Sequence, residues 1–90
     1  MALFGAKVVN EYPEPVQCWT GEPTPRFFTV AGDGGTSPDD VDVDHVQAPD
    51  GQWYKCGEDF TSVRLVVVER NGAVRNAKCK TNGPNQDCAE

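Results

Sequence analysis

Apolar and polar positions along this chain alternate with a period of 2 in several short runs and never settle into the 3.6-residue period of a helix. Proline and glycine recur through residues 13–51, which rules out a long helix there. Short β-prone runs separated by turn residues predict an all-β fold, a small six-stranded β-sandwich or barrel. Lys7 to Asn10 can pair before Tyr12-Pro13-Glu14-Pro15 breaks the run. Val16 to Trp19 and Arg26 to Val30 are the next candidate strands, the latter ending in a flexible Ala31–Gly35 loop. Val41 to Gln47 alternates Val and Asp, the pattern of a half-buried strand. Gln52 to Cys56 is short and aromatic, entered by the turn Pro49-Asp50-Gly51. Residues 1–10 read as a flexible N-terminal segment and residues 11–90 as one β domain.

The strongest element is a hairpin near the C-terminus. Ser62 to Arg70 is dense in β-branched residues, and Asn71-Gly72 suits a two-residue type I′ turn with positive φ at both positions. The return strand runs from Ala73 to about Lys80. A two-residue loop sets Arg70 against Ala73, Val68 against Arg75, Val66 against Ala77 and Arg64 against Cys79. The first strand is apolar on both faces, which predicts a central strand covered on both sides.

Ninety residues bury only roughly 60–65% of the unfolded surface, so the core is thin and cross-links help. Cys18, Cys56, Cys79 and Cys88 supply two disulfides if the compartment is oxidising. Three pairings exist. Cys18–Cys56 with Cys79–Cys88 is preferred over Cys18–Cys88 with Cys56–Cys79. No Cys-x-x-Cys occurs and the single histidine, His45, lies far from every cysteine in sequence, so no metal is expected. No cofactor motif is present. Ala2-Leu3-Phe4 is too short for a signal-peptide core, and the chain reads as a mature secreted form. The alternative is a cytosolic protein with four free thiols.

The net charge of −6 is unevenly placed: residues 1–50 hold only Lys7 and Arg26 against nine carboxylates. That half repels phosphate backbones and anionic bilayers, so neither nucleic acid nor membrane is the expected partner. No apolar run is long enough to span a bilayer as a helix. The acidic stretch otherwise reads as a solvated surface of a monomer.

Candidate chemistry is sparse. Asp40-Val41-Asp42-Val43-Asp44 resembles the start of a calcium loop, yet His45 stands where the turn needs glycine and Gly51 where it needs the bidentate glutamate. His45 has no adjacent nucleophile in sequence, so catalysis is not expected. Thr20 to Phe28 is richer. Prolines stiffen it, and an arginine and two phenylalanines follow; such residues anchor interfaces. Trp19, Arg26 and Phe27, with Asp42 and Asp44 as charged contacts, are the candidate partner-binding residues. Of Trp19, Trp53 and Tyr54, at least two are expected to fill the core. Unpaired sheet edges offer strand addition.

Cys18 after an early strand and Cys56 some forty residues later, within a six-strand reading, resemble the MAX effectors, β-sandwich avirulence proteins of plant-pathogenic fungi. That resemblance implies secretion, including translocation into host cells, no enzymatic activity, and recognition of host proteins. A second resemblance covers residues 62–88. Ser62-Val63-Arg64-Leu65-Val66-Val67, a turn, a strand and a closing Cys88 are similar to the end of fungal guanyl-specific ribonucleases and their inactive relatives. It implies Arg64 at the phosphate, with Lys78 or Lys80 near the place of the missing catalytic histidine and Glu58 as candidate base. No cleavage is expected without that acid–base pair. A third reading is a protease inhibitor presenting the Thr20–Phe28 loop with Arg26 in the specificity pocket.

Overall fold

The computed structural model of the chain describes residues 5–21, 24–56, 63–75 and 79–81. In chain order the strands are β1 (Gly5–Asn10), β2 (Val16–Thr20), β3 (Arg26–Val30), β4 (Gly35–Thr36), β5 (His45–Gln47), β6 (Trp53–Lys55), β7 (Val63–Val68), β8 (Val74–Arg75) and β9 (Cys79–Thr81). They form a four-stranded sheet, β4-β1-β7-β8, and a five-stranded sheet, β3-β2-β5-β6-β9. The all-β class holds. The expected six strands become nine: the return strand divides into β8 and β9, and Gly35–Thr36 adds a short β4 that was not expected. There is no helix among the described residues, hence none long and apolar enough to cross a membrane.

The two sheets bury one shared core. Ala6, Val8, Val66 and Val68 face it from the first sheet, and Val16, Cys18, Val30 and Val46 from the second. Alternation on each strand puts every second side chain there. Valine dominates the interior; of Trp19, Trp53 and Tyr54, expected to supply at least two core residues, Trp53 is buried, outside the main valine cluster, and Trp19 is half-buried. Tyr54 alone packs against the cluster, half-buried.

Residues 5–10 are not a flexible lead-in. β1 is the inner strand of its sheet, parallel to β7 over all six residues and antiparallel to β4. Ala6, Val8 and Asn10 are buried on one face of it. β7 is central, as expected, but covered on one side only in part: Val66, Val67 and Val68 are buried while Leu65 is 49% exposed.

The run Val41–Gln47 pairs as a strand only over His45–Gln47. Its alternation correctly buries Val41 and Val43. The segment before β5 is instead a bridge between the sheets: the Val43 amide donates to the Ala6 carbonyl on β1, and the Asp44 amide to the Trp19 carbonyl on β2. Ala31–Gly35 is likewise no flexible loop. The amides of Asp33 and Gly34 donate to the carbonyls of Tyr12 and Asn10, with Asp33 at φ 57° and Gly34 at φ 95°.

The hairpin register is slipped by one residue from the expected one. Val68 faces Val74 and Val67 faces Arg75. Glu69 bonds Ala73, leaving a three-residue loop, Arg70-Asn71-Gly72, with the Gly72 amide donating to the Glu69 carbonyl. Only Gly72 has positive φ, 90°, as in a type I turn closed by a glycine bulge rather than a type I′ turn. The return strand also divides, β8 staying in the first sheet and β9 joining β6 in the second. Cys79 therefore lies opposite Lys55, not Arg64. Ala77 lies outside the described residues. Gly72→Ala is expected to destabilise by about 1–2 kcal/mol through the left-handed backbone. The new Cβ would also stand 3.3 Å from Pro49 Cγ. Urea unfolding of the two proteins measures the difference.

Candidate functional site

Cross-strand partners share a sheet face. Trp19 lies opposite Phe27 on one side and opposite His45 on the other. Cys18 and Val46, at the alternate positions, face the core. Trp19, Phe27 and His45 therefore occupy the outer face of the five-stranded sheet. Trp53, opposite Gln47, falls on the same face. The rings gather there: Trp19 meets His45 edge-on at 5.7 Å, and Phe27 meets Trp53 at 5.9 Å with 55° between the ring planes. His45 and Trp53 are buried beneath, Trp19 is half-buried, and Phe27 stays 49% exposed on top. Tilted ring pairs of this kind add about 0.5–1.5 kcal/mol each beyond area burial.

Of the five candidate contact residues, the structure unites Trp19 and Phe27. Arg26 alternates to the other side of β3, where its guanidinium sits 5.4 Å from the centre of the Phe28 ring. Arg26 is exposed on an edge strand rather than at a loop tip. Residues 22–23 of the Thr20–Phe28 segment lie outside the described residues.

Asp42 and Asp44 are built into the fold instead of projecting as a charged surface. Asp42 Oδ1 accepts the Ala6 amide at 3.0 Å, and Thr20 Oγ1 donates to the Asp42 carbonyl at 2.8 Å. Asp44 Oδ2 accepts the Gly21 amide at 2.6 Å. An added Cβ on Gly21 would meet both Asp44 Oδ2 and Trp19 Cη2 at 3.2 Å, so carboxylate, backbone and indole are in close contact. Asp39 and Asp40 remain exposed. The hydrogen bond from Lys7, and its charge, hold the Asp39 carboxyl below its usual range.

Cys18 and Cys56 are buried free thiols, so the preferred Cys18–Cys56 bond is not formed. Burial pushes the Cys18 thiol up to about 12. Burial, then the negative charges of Cys18, Asp44 and Asp42, raise Cys56 well above the ordinary thiol range. Neither is a thiolate at neutral pH, so neither is an activated nucleophile. The side chains of Cys79 and Cys88 lie outside the described residues.

No group of three or more His, Cys, Asp or Glu among the described residues is placed to hold a metal ion. For the ribonuclease-like arrangement, Glu58 and Lys78 lie outside the described residues. Arg64 on β7 and Lys80 on β9 belong to different sheets. Trp53 and His45 join the aromatic face although nothing local in the sequence marks them as its members. Their place depends on which strands become neighbours.

No protein-family model, no curated protein and no solved structure matches this chain.

Proposed function

We propose that this chain is a non-catalytic binding module, a secreted effector-like protein that recognises a host protein through the aromatic face and outer edge of its five-stranded sheet. The observation that carries the reading is Phe27, a large apolar side chain left 49% exposed and seated on buried Trp53. A side chain fixed by its neighbours loses little freedom on binding, and aromatics dominate interface energetics. β3 ends its sheet, so backbone groups along residues 26–29 are placed for strand addition beside Phe27. An exterior role rests on the acidic composition, since Cys18 and Cys56 are free thiols. The buried thiols limit any disulfide framework to bonds that leave Cys18 and Cys56 in place.

Phe27→Ala is expected to weaken capture of a host protein at least tenfold while leaving the unfolding midpoint within a few degrees of wild type. Surface plasmon resonance with the protein recovered from host extract measures the first, and circular dichroism the second. Unchanged affinity would remove this face from the reading. Inhibition of trypsin that disappears in Arg26→Ala would establish the inhibitor alternative instead.

A further inference from the structure

A concave region lies at the end of the sandwich where β2 and β5 part. β2 and β5 pair only at Cys18–Val46 and Trp19–His45. Beyond Cys18 the two strands separate, and a cleft of about 300 Å³ opens between Glu14–Gln17 and Gln47–Gly51. A second cleft, about 470 Å³, continues on the far side of Pro49, between Tyr54 of the second sheet and the Asn71–Ala73 turn of the first. Tyr12, Ala48 and Pro49 line both. The two clefts thus adjoin at Tyr12, Ala48 and Pro49. Their volumes fall within the range of about 300–1,000 Å³ that ligand pockets occupy.

The lining is chemically one-sided. Glu14 and Asp50 contribute exposed carboxylates, and no lysine or arginine among the described residues lines either cleft. Tyr12 and Tyr54 supply half-buried aromatic rings, and Gln17 and Gln47 supply amides on the two walls of the fork. Carboxylates beside aromatic rings attract cations by charge and by ring quadrupole together. The walls are preorganised. The Pro49 turn is closed by the Gly51 amide donating to the Ala48 carbonyl at 2.9 Å. Tyr12 is tied down through its amide to Asn10 Oδ1 at 3.1 Å.

We propose that this groove of adjoining clefts binds an extended basic peptide, with one lysine or arginine side chain in each cleft and the peptide backbone crossing at Pro49. An acidic chain with a net charge of −6 also favours the approach of such a partner. Gln17 and Gln47 share the sheet face of Trp19 and Trp53, but Phe27 lines neither cleft, so loss of Phe27 and loss of the groove carboxylates are read separately.

The test is a titration of the ¹⁵N-labelled chain with tetralysine, followed by amide shifts. The expected result is saturable shifts at Tyr12, Gln17, Gln47, Gly51 and Gly72, with affinity falling as salt rises. Glu14→Gln with Asp50→Asn is expected to weaken binding at least tenfold. Asn keeps the acceptor that Asp50 Oδ1 offers the Gln52 amide, so the turn survives. Asp39→Asn with Asp40→Asn removes the same charge from exposed positions outside the groove lining and is expected to change affinity less than twofold. Equal weakening by both double variants, or shifts spread over the whole surface, would reduce the effect to net charge and overturn the proposal. Shifts at the same residues from neutral chitotetraose, with none from tetralysine, would overturn it in favour of a sugar site.

Discussion

Raising the pH above about 9 is expected to destabilise the protein by roughly 1.4 kcal/mol per pH unit for each buried thiol. In the unfolded chain a thiol titrates near its ordinary value of 9.0, whereas folded Cys18 holds its proton up to about 12. The unfolded state therefore loses the proton first. The stability contributed by the protonated thiol is complete below pH 9 and drains away as the pH climbs toward the folded value. Cys56 moves in the same direction, chiefly through burial. Cys18 alone removes on the order of 3 kcal/mol by pH 11, with Cys56 adding loss in the same direction, against a total stability of roughly 5–13 kcal/mol for a domain this size. Urea unfolding at a series of pH values measures the slope. Cys18→Ala is expected to flatten it by about half, which separates the thiols from lysine and tyrosine titration. A slope that survives unchanged in that variant would exclude the buried thiol as its source.

Asn10→Ala is expected to lower stability by about 3–5 kcal/mol, since each buried polar group left without a partner costs about 1–3 kcal/mol. Asn10 is fully buried at the end of β1. Its Nδ2 donates to the Glu14 carbonyl at 2.8 Å and the Val30 carbonyl at 3.2 Å, and its Oδ1 accepts the Tyr12 amide. One side chain thus ties the β1–β2 connection to the last residue of β3. Asn10→Asp keeps the acceptor but points a second oxygen at two carbonyls, and is expected to be at least as damaging. Guanidinium unfolding gives both values; a loss below about 1 kcal/mol for alanine would show that water replaces the amide readily.

What the sequence made legible follows the range of the interaction. β-prone runs between turn signals located β2, β3 and β7, and period-2 alternation buried Val41 and Val43 correctly, because both signals are local. Pro49-Asp50-Gly51 announced its turn for the same reason. The Arg70-Asn71-Gly72 loop was misread because one positive φ at Gly72 closes a three-residue turn as well as two close a type I′ turn, and the choice shifts every pair by one. Residues 5–10 gave little sign of their central place, since their partner β7 lies more than fifty residues away. Asp42 and Asp44 looked like surface charge. Only the bridge between sheets shows that they accept amides from Ala6 and Gly21. Trp19 and Phe27 could be nominated from residue type, but their union with Trp53 and His45 required the strand order.

The parallel union of β1 with β7 constrains how the molecule comes into being. Gly5 to Asn10 are made more than fifty residues before their ladder partners Val63 to Val68. A nascent polypeptide cannot close this interior until the ribosome has released the later segment. Contacts so distant in sequence raise the contact order and place folding among the slower small domains, on the order of milliseconds to seconds. Until then the valine-rich strands wait with their apolar faces uncovered, the interval in which association with other unfinished chains competes with folding.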